Sequence, residues 1–529
     1  MESQEKQSDT EVKLVKTASL VAVSTFLSRI TGFLRDMLFA KILGAGIASD
    51  AFYVAFRIPN MLRELMAEGS ISAGFIPVFT EYLTKRSREE AASLARAAFT
   101  LLFFILTIIV GIGIFFTPQI LHIIAPGFVD NPERFALTTA LTRVMFPFLL
   151  FISLAALTMG ILNSTHRFGP PAISSAVCNI VMILFILFPF YPKPIFSAAI
   201  GVVVGGFCQF AIQLPAVKKE GFSLSFQWPI FPLHPGLIQM IKLLVPITIA
   251  LSVTQINILV STLVASTLAK GSVSYLYYAM RLIHFPLGIF GVALATVLLP
   301  TLSKQAAKGD HAGLRQSLSF GLRFIFFIMA PAMAGLILLK VPIVHLLFEH
   351  GAFDRLATEE TAQAVLYYAI GLWAFAGVRV VVPVFYSFQD TKTPVKVAVV
   401  AMILNVILSF ALAIPLQHRG IALATSISAI FNFVILVVLL RKKIGRIDAK
   451  RIAYSHIKVI LGTLCMIPST LYISSMTLWN SPGNWTGKAI LLAIAIVTSI
   501  VIYFITHSIL KSEELIFLKN TIQKRLKRS

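Results

Sequence analysis

The chain consists of long apolar blocks separated by short polar segments. About 14 of these blocks reach the roughly 20 residues that a helix needs to cross a bilayer. Only helices and closed barrels satisfy the backbone in lipid, and continuous runs of this length indicate helices. We therefore predict an all-α polytopic membrane protein with about 14 transmembrane helices. The predicted spans are 17–43, 49–82, 92–118, 134–164, 170–190, 195–217, 237–268, 272–303, 313–340, 358–388, 393–415, 420–440, 452–476 and 487–510.

The polar segments carry an asymmetry of charge that predicts orientation. With the N-terminus inside, basic residues such as Lys85, Arg86 and Arg88 fall in cytoplasmic loops, whereas the longest outer loop carries Glu349 and Asp354. This positive-inside pattern predicts a multi-pass protein of the cytoplasmic membrane with both termini in the cytoplasm. The formal net charge of +22 then reflects topology and attraction to anionic membrane lipids, and we predict no nucleic-acid partner.

The composition leaves little room for soluble enzyme chemistry. Residues are 57% hydrophobic and 13% charged, against about 25% charged in an ordinary soluble chain. The three cysteines lie in apolar segments without zinc-ligand spacing, so we predict packing roles for them and no metal or cofactor. His345 and His350, with Glu349 between them, come nearest to a catalytic cluster, but their spacing does not suit a metal pair on a helix.

The sequence resembles itself at an offset of 224 residues, which pairs Arg57 with Arg281 and Pro170 with Pro394. The repeat contains about six spans, and an even number gives both copies the same orientation. Such repeats are typical of secondary transporters with a binding cavity between two bundles. We predict two six-helix bundles related by a pseudo-two-fold axis, with two extra helices at the C-terminal end.

The predicted domain organisation follows from this repeat. It comprises a cytoplasmic N-terminal segment (1–16), an N-terminal six-helix bundle (17–219), a cytoplasmic linker (220–236), a C-terminal six-helix bundle (237–443), transmembrane helices 13 and 14 (444–510) and a basic cytoplasmic tail (511–529). The sequence contains no nucleotide-binding loop, so we predict no ATP hydrolysis within this chain. It leaves the energy source open.

The two copies of the repeat differ most in charge. At the common offset, Arg29 corresponds to Val253 and Arg35 to Leu259. Counting about 1.5 Å per residue from Lys16 puts Arg29 about 20 Å into the membrane. An ionised side chain at the bilayer centre costs about 3 kcal/mol on insertion scales. Packing alone does not require charged residues in only one copy of the repeat. We therefore attribute this difference in charge to the binding of a transported substrate, the cargo.

These charged residues form a predicted substrate-binding constellation. Internal ion pairing is the alternative interpretation, but arginines outnumber acids. Guanidinium suits phosphate because its planar fork makes bidentate hydrogen bonds and keeps its charge. We therefore predict a water-filled, cationic cavity that receives a phosphate-bearing cargo. The predicted substrate-binding residues are Arg29, Arg35, Arg281, Arg63, Asp50 and Arg57, and the predicted gate or supporting residues are Asp36, Asn60, Glu68 and Ser274.

Several stretches of the first twelve spans resemble one known family. They are "FLSRITGFLRD", "SDAFYVAFRIPNMLRELMAEGSISAGFIPVF", "APGF", "GSVSYLYYAMRLIHFPLGIFGVALATVLLP" and "FYSFQDTKTP". Together they resemble the MurJ (MviN) lipid II flippases of the multidrug/oligosaccharidyl-lipid/polysaccharide exporter superfamily. The resemblance implies a protein, not an enzyme, that flips the undecaprenyl-pyrophosphate-linked peptidoglycan precursor from the inner to the outer leaflet by alternating access.

The resemblance also implies roles for particular residues and partners. It implies that Arg29, Arg35 and Arg281 line the cavity and engage the pyrophosphate, that Asp50 and Arg63 contribute, and that a groove near spans 13 and 14 holds the lipid tail. It implies lipid II as the partner, a functional monomer, and the cell-wall synthesis machinery as a further candidate partner.

Two departures from the family pattern affect the local charge. Met280 and His284 stand where the family often has acids, so the charge balance around Arg281 differs. Span seven offers Gln255 and Asn257 but no acid, so the sodium site described in some relatives is not supported.

Other functions compete with this interpretation. A flippase for another polyprenyl-pyrophosphate-linked oligosaccharide would also need a basic cavity, and only the motifs speak against it. A multidrug antiporter for cations would need an acidic cavity. A membrane-embedded lipid-modifying enzyme would need a catalytic cluster at a membrane face. An ion channel fits a duplicated bundle with a buried cationic site less well than alternating access does.

Overall fold

The computed structural model describes residues 2–65, 72–445, 447–476, 479 and 483–526. Every regular element in these ranges is helical, which confirms the all-α prediction. Within the described ranges, ten helices are long and apolar enough to cross a membrane, and twelve if each of two bent pairs counts as one span. These twelve coincide with predicted spans three to fourteen, so the chain is a multi-pass membrane protein.

The chain divides into two compact units, Met1–Val273 and Ser274–Ser529. The helices described in the first unit are α1 (Glu2–Leu43), α2 (Ile47–Arg63), α3 (Ser72–Lys85), α4 (Arg88–Phe115), α5 (Thr117–Ile124), α6 (Pro132–Met145), α7 (Phe148–Ser164), α8 (Gly169–Leu187), α9 (Pro194–Ala211), α10 (Leu214–Lys219) and α11 (Pro235–Ser266).

The second unit begins within the first turn of α12. Its described helices are α12 (Ser272–Pro286), α13 (Val292–Ala307), α14 (His311–Leu338), α15 (Lys340–Phe348), α16 (Arg355–Ala369), α17 (Leu372–Ser387), α18 (Lys392–Leu416), α19 (His418–Ile444), α20 (Ala449–Ser474), α21 (Trp485–Ile509) and α22 (Glu513–Leu526). One turn of π-helix, Leu287–Gly291, joins α12 to α13.

The first two predicted spans differ from the other twelve in their charged residues. Helix α1 runs as one piece through the first predicted span and carries Arg29, Arg35 and Asp36 within it. It packs against α8. The second predicted span is described as α2 and α3, on either side of residues outside the described ranges. Both predicted spans are thus helical in the described residues, and both carry charge.

Helix α11 is bent and packs within the first unit. Its two halves, Pro235–Pro246 and Leu251–Ser266, meet at 52°. Pro246 accounts for the bend, because proline removes a backbone hydrogen bond and its ring clashes with the preceding turn. The internal repeat assigns α11 to the second bundle, whereas its packing partners in this unit include α3, α4 and α5.

Within the first unit, aromatic side chains pack the linker that precedes α11 (220–236) against α3. Phe75 and Phe79 of α3 are fully buried and stacked, with ring centroids 4.9 Å apart. Phe222 of the linker packs edge-on against Phe79 at 5.4 Å. Such aromatic pairs add about 0.5–1.5 kcal/mol beyond area burial. At the far end of the linker, His234 packs against the Tyr82 ring at 5.6 Å.

The predicted tenth span is broken into α16 and α17, which meet at 41°. The break exposes backbone carbonyls that helical hydrogen bonds would otherwise satisfy. The Ser426 hydroxyl of α19 donates to the carbonyls of Tyr367 at 2.7 Å and Tyr368 at 3.1 Å. Gly371 at the break lies so close to α19 that an added Cβ would be 2.8 Å from the Ser426 Cα. A serine and a glycine thus stabilise a broken span within the membrane.

Candidate functional site

Arg35 lies on α1 in a buried hydrogen-bond network. Its Nε and Nη2 donate to the Asp36 carboxylate at 3.1 and 2.7 Å, and its Nη1 donates to Asn179 Oδ1 of α8 at 2.9 Å. Asp36 is 1% exposed and Arg35 is 9% exposed. Asn179 also donates to the Ser28 carbonyl at 3.2 Å, which fixes α8 against α1. The network neutralises Asp36 and orients the guanidinium.

Arg29 lies six residues before Arg35, about 9 Å along the same helix. In contrast to Arg35, its side chain is exposed. It forms no hydrogen bond or ion pair with any residue in the described ranges. Its guanidinium is therefore available to bind an anion beside the first predicted span.

A second polar group links α2 to α11. The Arg63 Nε donates to Asn60 Oδ1 at 3.0 Å, and the Asn60 amide donates to Glu64 Oε1 at 3.0 Å. Gln255 of α11 is buried and donates to the other Glu64 oxygen at 2.6 Å. Arg63 also lies 3.7 Å from Glu64. Arg57, two helical turns before Glu64, is half-buried. The group thus combines Arg63 with the predicted supporting residue Asn60.

Arg281 lies on α12 in the second unit and is half-buried. Its Nη2 donates to the Tyr277 hydroxyl at 3.0 Å, and the guanidinium lies 5.2 Å from the Tyr277 ring centroid. At the two positions where acids were expected from the family pattern, Met280 is half-buried and His284 is exposed. Ser274, near the start of the same helix, is fully buried.

Asp50 is fully buried at the start of α2 and ties three segments of the first unit together. Its Oδ2 accepts from Arg134 Nη2 of α6 at 2.7 Å and from the Gly271 amide at 2.7 Å. The Arg134 guanidinium lies 3.6 Å from the ring centroid of Phe128 in the "APGF" segment. Gly271 has a φ of +91°, which glycine adopts readily and other residues rarely do. Asp50 thus latches the loop after α11 to α2 and α6.

The structure therefore distributes the predicted residues of the first unit over separate groups. Arg35 and Asp36 share one, Arg63 and Asn60 another, and Asp50 belongs to the latch. Glu68 lies outside the described residues. Counting Arg134, the described arginines of this set outnumber its described acids, so positive charge remains that internal pairing does not neutralise. The arginines of this set are Arg29, Arg35, Arg57, Arg63 and Arg134, and the acids are Asp36, Asp50 and Glu64.

Sequence reasoning missed two partners and misjudged the use of a third. The sequence pattern does not single out Arg134, although an arginine beside a predicted outer loop is unusual where such loops are poor in basic residues. Asn179 was also missed, although it is an amide within an apolar span. Gln255 was considered only for a sodium site, whereas it hydrogen-bonds Glu64. The signal in each case was a polar residue without a partner nearby in sequence.

The cluster nearest to enzyme chemistry forms a buried polar chain in the second unit. His345 Nε2 lies 2.8 Å from Lys488 Nζ of α21, and His345 Nδ1 lies 2.7 Å from Glu349. Trp485 stacks on the His345 ring with centroids 5.1 Å apart. Among the described residues, no group of three or more His, Cys, Asp or Glu side chains is arranged to hold a metal. This row of polar side chains connects α21 to α15 through the contact between Lys488 and His345.

Comparison with known sequences identifies close relatives over most of the chain. The family model for the lipid II flippase MurJ matches residues 39–485. A protein of Buchnera aphidicola subsp. Acyrthosiphon pisum, named a probable lipid II flippase MurJ, is 35% identical over 505 residues, which span 94% of this chain and 98% of the relative. The lipid II flippase MurJ of Burkholderia cenocepacia is 36% identical over 436 residues, which span 82% of this chain and 84% of the relative.

Solved structures agree with the sequence relatives. A structure of lipid II flippase MurJ in an inward closed conformation matches with a TM-score of 0.78 and 28% identity, covering 93% of this chain and 100% of the other. An inward-facing multidrug resistance transporter of the MATE family and MOP superfamily matches with a TM-score of 0.69 and 14% identity, covering 79% of this chain and 94% of the other. The second match concerns the fold alone.

Proposed function

The chain belongs to the lipid II flippase MurJ family, and on that premise we propose that it moves lipid II from the inner to the outer leaflet of the bacterial cytoplasmic membrane. The observation that carries this proposal is the exposed Arg29 on α1, the helix of the first predicted span, on which Arg35 is already paired with Asp36. A surplus of guanidinium groups at that depth suits a diphosphate, which offers several oxygens to bidentate donors.

We assign the arginines different tasks in this proposal. Arg29 binds a phosphate oxygen directly, since its donors are free of partners in the described ranges. Arg35 is oriented by Asp36 and Asn179 and supplies a second, preorganised cation. Arg63, with Asn60 and Glu64, and Arg281, with Tyr277, supply further donors. Arg57 adds positive charge beside the Arg63 group.

Asp50 has a different task from the arginines, because it is fully buried and already bonded to Arg134 and Gly271. We propose that it latches the outer gate during alternating access, with Ser274 as a supporting residue. A gate of this kind opens when the loop after α11 separates from α2. Asp36 and Asn60 support the binding residues, and we keep Glu68 as a predicted supporting residue.

The proposal includes the orientation and partners predicted from the sequence. Both termini lie in the cytoplasm, anionic lipids hold the basic inner loops, and the functional unit is a monomer that transports rather than transforms its cargo. The cell-wall synthesis machinery remains a proposed partner. Cysteines introduced at Ala352 and Ser87, both exposed loop positions, test the orientation. An impermeant thiol reagent added outside should label only the former, and labelling at Ser87 in intact cells would overturn it.

The proposed substrate is tested by depletion and complementation in the host cell. Depletion should cause lipid II to accumulate at the inner leaflet. Accumulation of a different polyprenyl-linked oligosaccharide would instead favour the sibling flippase. Arg29→Ala, Arg35→Ala and Arg281→Ala should each fail to restore growth, because each removes a charge-assisted bond worth roughly 1.5–3 kcal/mol. Lysine should restore growth only in part, since it lacks the planar fork.

Two controls separate binding from folding in this test. Arg355→Ala removes an exposed arginine that pairs with Glu359 at 3.1 Å and lies 3.6 Å from Glu349, and it should leave growth unchanged because exposed pairs contribute little. Arg35→Ala leaves Asp36 buried without its cation, so it is also expected to lower stability. The double variant Arg35→Ala, Asp36→Ala should recover thermal stability without recovering growth. Full growth of the double variant would remove Arg35 from the binding site.

A further inference from the structure

The second unit contains a cavity that the transport proposal does not use. Its volume is about 430 Å³, within the range of small-molecule sites. It is lined by residues of α13, α14, α20 and α22, of which Arg451, Glu513 and Glu514 lie in the first turn of their helices. Arg451 is the third residue of α20, a candidate span, and Glu513 begins α22 shortly after the span α21 ends. Because candidate spans begin beside Arg451 and end shortly before Glu513, we infer that this wall of the cavity lies where the spans meet the lipid headgroups.

The polar wall of the cavity contains two arginines and two glutamates. Arg323 Nη1 donates to Glu513 and to Glu514, both at 2.8 Å. Arg451 Nη2 donates to Glu513 at 2.6 Å, and the Ser455 hydroxyl donates to Glu514 at 2.9 Å. The formal charge of these four groups sums to zero. The wall thus presents both signs of charge side by side without a net preference for either.

The four charged groups differ in how firmly they are held. The side chains of Arg323 and Glu514 are 6% and 2% exposed, whereas those of Arg451 and Glu513 are 45% and 52% exposed. An exposed pair contributes little to stability and opens easily. Arg323 Nε has no hydrogen-bond partner in the described ranges, so this guanidinium keeps donor capacity that its two carboxylate bonds do not use.

The remaining wall is apolar and belongs to the same cavity. Leu298, Phe320 and Phe517 line it, and the rings of Phe320 and Phe517 meet edge-on with centroids 4.8 Å apart. Phe517 is 47% exposed although it is a large apolar side chain. A cavity with charges of both signs on one wall and aromatic rings on another fits an amphipathic molecule better than a free ion.

We propose that this cavity binds the headgroup of a zwitterionic phospholipid that carries a phosphodiester and a primary ammonium. The exposed Arg451–Glu513 pair separates. The phosphate of the headgroup then binds the guanidinium of Arg451, and its ammonium binds the carboxylate of Glu513. Arg323 stays in place below the headgroup and keeps its bonds to Glu514 and to Glu513. The glycerol and first acyl carbons lie against Phe320 and Phe517. Charge is conserved in this exchange, whereas an anionic headgroup would leave a carboxylate facing a phosphate.

The proposal is tested with the purified full-length protein in detergent. The melting temperature is measured against added short-chain phosphatidylethanolamine, short-chain phosphatidylglycerol and free phosphoethanolamine. We expect the zwitterionic lipid to stabilise at the lowest concentration, and the free headgroup to act only weakly because it lacks the apolar part. Equal or better stabilisation by the anionic lipid, or by the free headgroup, would overturn the proposal.

Charge variants connect the lipid preference to this cavity. Glu513→Gln gives the cavity a net positive charge, so the preference should shift toward the anionic lipid by roughly tenfold, the effect of one charge-assisted hydrogen bond. Arg451→Gln should weaken binding of both lipids. Glu359→Gln, in an exposed ion pair of the same unit, is the matched control and should leave the preference unchanged. A preference that all three variants retain would assign the lipid to another surface.

Discussion

Asp50 is fully buried and accepts hydrogen bonds from Arg134 and from the Gly271 amide. Arg29 is exposed and bonds to no residue in the described ranges. Both are charged residues of the first two spans, so residue type alone does not separate a structural ion from a ligand-binding one. Their partners do, because removing one member of a buried pair strands the other charge.

Arg134→Ala should destabilise the protein by about 3–5 kcal/mol, since it leaves the Asp50 carboxylate buried without its cation. The free energy of unfolding in detergent measures the effect. The double variant Asp50→Asn, Arg134→Met removes both charges and should lose much less stability. If Arg134→Ala unfolds at the wild-type denaturant concentration, the Asp50–Arg134 pair does not hold the latch.

His234 predicts a pH-dependent helix start outside the membrane-spanning segments. Its Nδ1 accepts from the Gly236 amide at 3.1 Å and caps α11, which requires the neutral ring. Burial lowers the pKa of His234, nearby Arg86 lowers it further, and Glu90 opposes the shift. The unfolded ring titrates near pH 6.5. The stabilisation is therefore complete above about pH 6.5 and is lost as pH falls through the lower folded pKa.

Hydrogen exchange at the start of α11 measures this effect. Protection of the Gly236 amide, corrected for the intrinsic pH dependence of exchange, should fall between pH 7 and pH 5. Asparagine is a strong N-cap that does not titrate in this range. His234→Asn should therefore keep protection at both pH values. An identical loss of protection in this variant would exclude His234 as the cause.

The break between α16 and α17 shows how one element departs from its sequence pattern. The apolar run 358–388 predicts a single span, and no proline lies at the break to signal it. We attribute the break instead to the close approach of α19. The Ser426 hydroxyl of that helix donates hydrogen bonds to the Tyr367 and Tyr368 carbonyls. A contact between distant segments is not visible in a hydrophobic pattern.

Gly371→Val should destabilise the second unit by about 1–3 kcal/mol, because the added side chain meets the Ser426 backbone at a distance that neither helix tolerates. Thermal unfolding in detergent measures the loss. Gly335→Ala on α14 is the matched control, since an added Cβ there has no neighbour within 4 Å. It should be neutral or stabilising. A Gly371→Val protein as stable as the control would show that α19 can move away.

At the scale of the whole molecule, the helical class is confirmed, and twelve of the 14 predicted spans coincide with candidate spans in the described residues, whereas the substrate-binding constellation stays a prediction. The helices could be predicted because each one is encoded by the apolar residues within its own stretch of sequence. The partners do not, because Arg35 meets Asn179 across 144 residues and Asp50 meets Gly271 across 221. Such pairings depend on how helices pack side by side. A single sequence therefore predicts that charges lie in the membrane but not which of them are neutralised.

Alternating access predicts that the latch must open once in each transport cycle. Lys270 precedes Gly271, and Ala45 lies in the loop before α2, which carries Asp50. If the tips of these two loops meet in one state of the cycle, cysteines at Ala45 and Lys270 should cross-link on oxidation. Transport in vesicles should then stop and return on reduction, with growth supported by the reduced protein as the control for folding. Normal flipping by the cross-linked protein would exclude this gate and direct attention to the inner loops around Lys85 and Lys304.

The long separation between Arg35 and Asn179 also bears on how the protein is made. Ribosomes add about 5–20 residues per second, so the 144 residues between these partners take on the order of 10 s to synthesise. During that interval α1 has left the ribosome while α8 does not yet exist. Asp36, one residue away, is already in the chain, so we expect it to pair with Arg35 once the helix forms. The adjacent acid would then neutralise Arg35 before Asn179 becomes available.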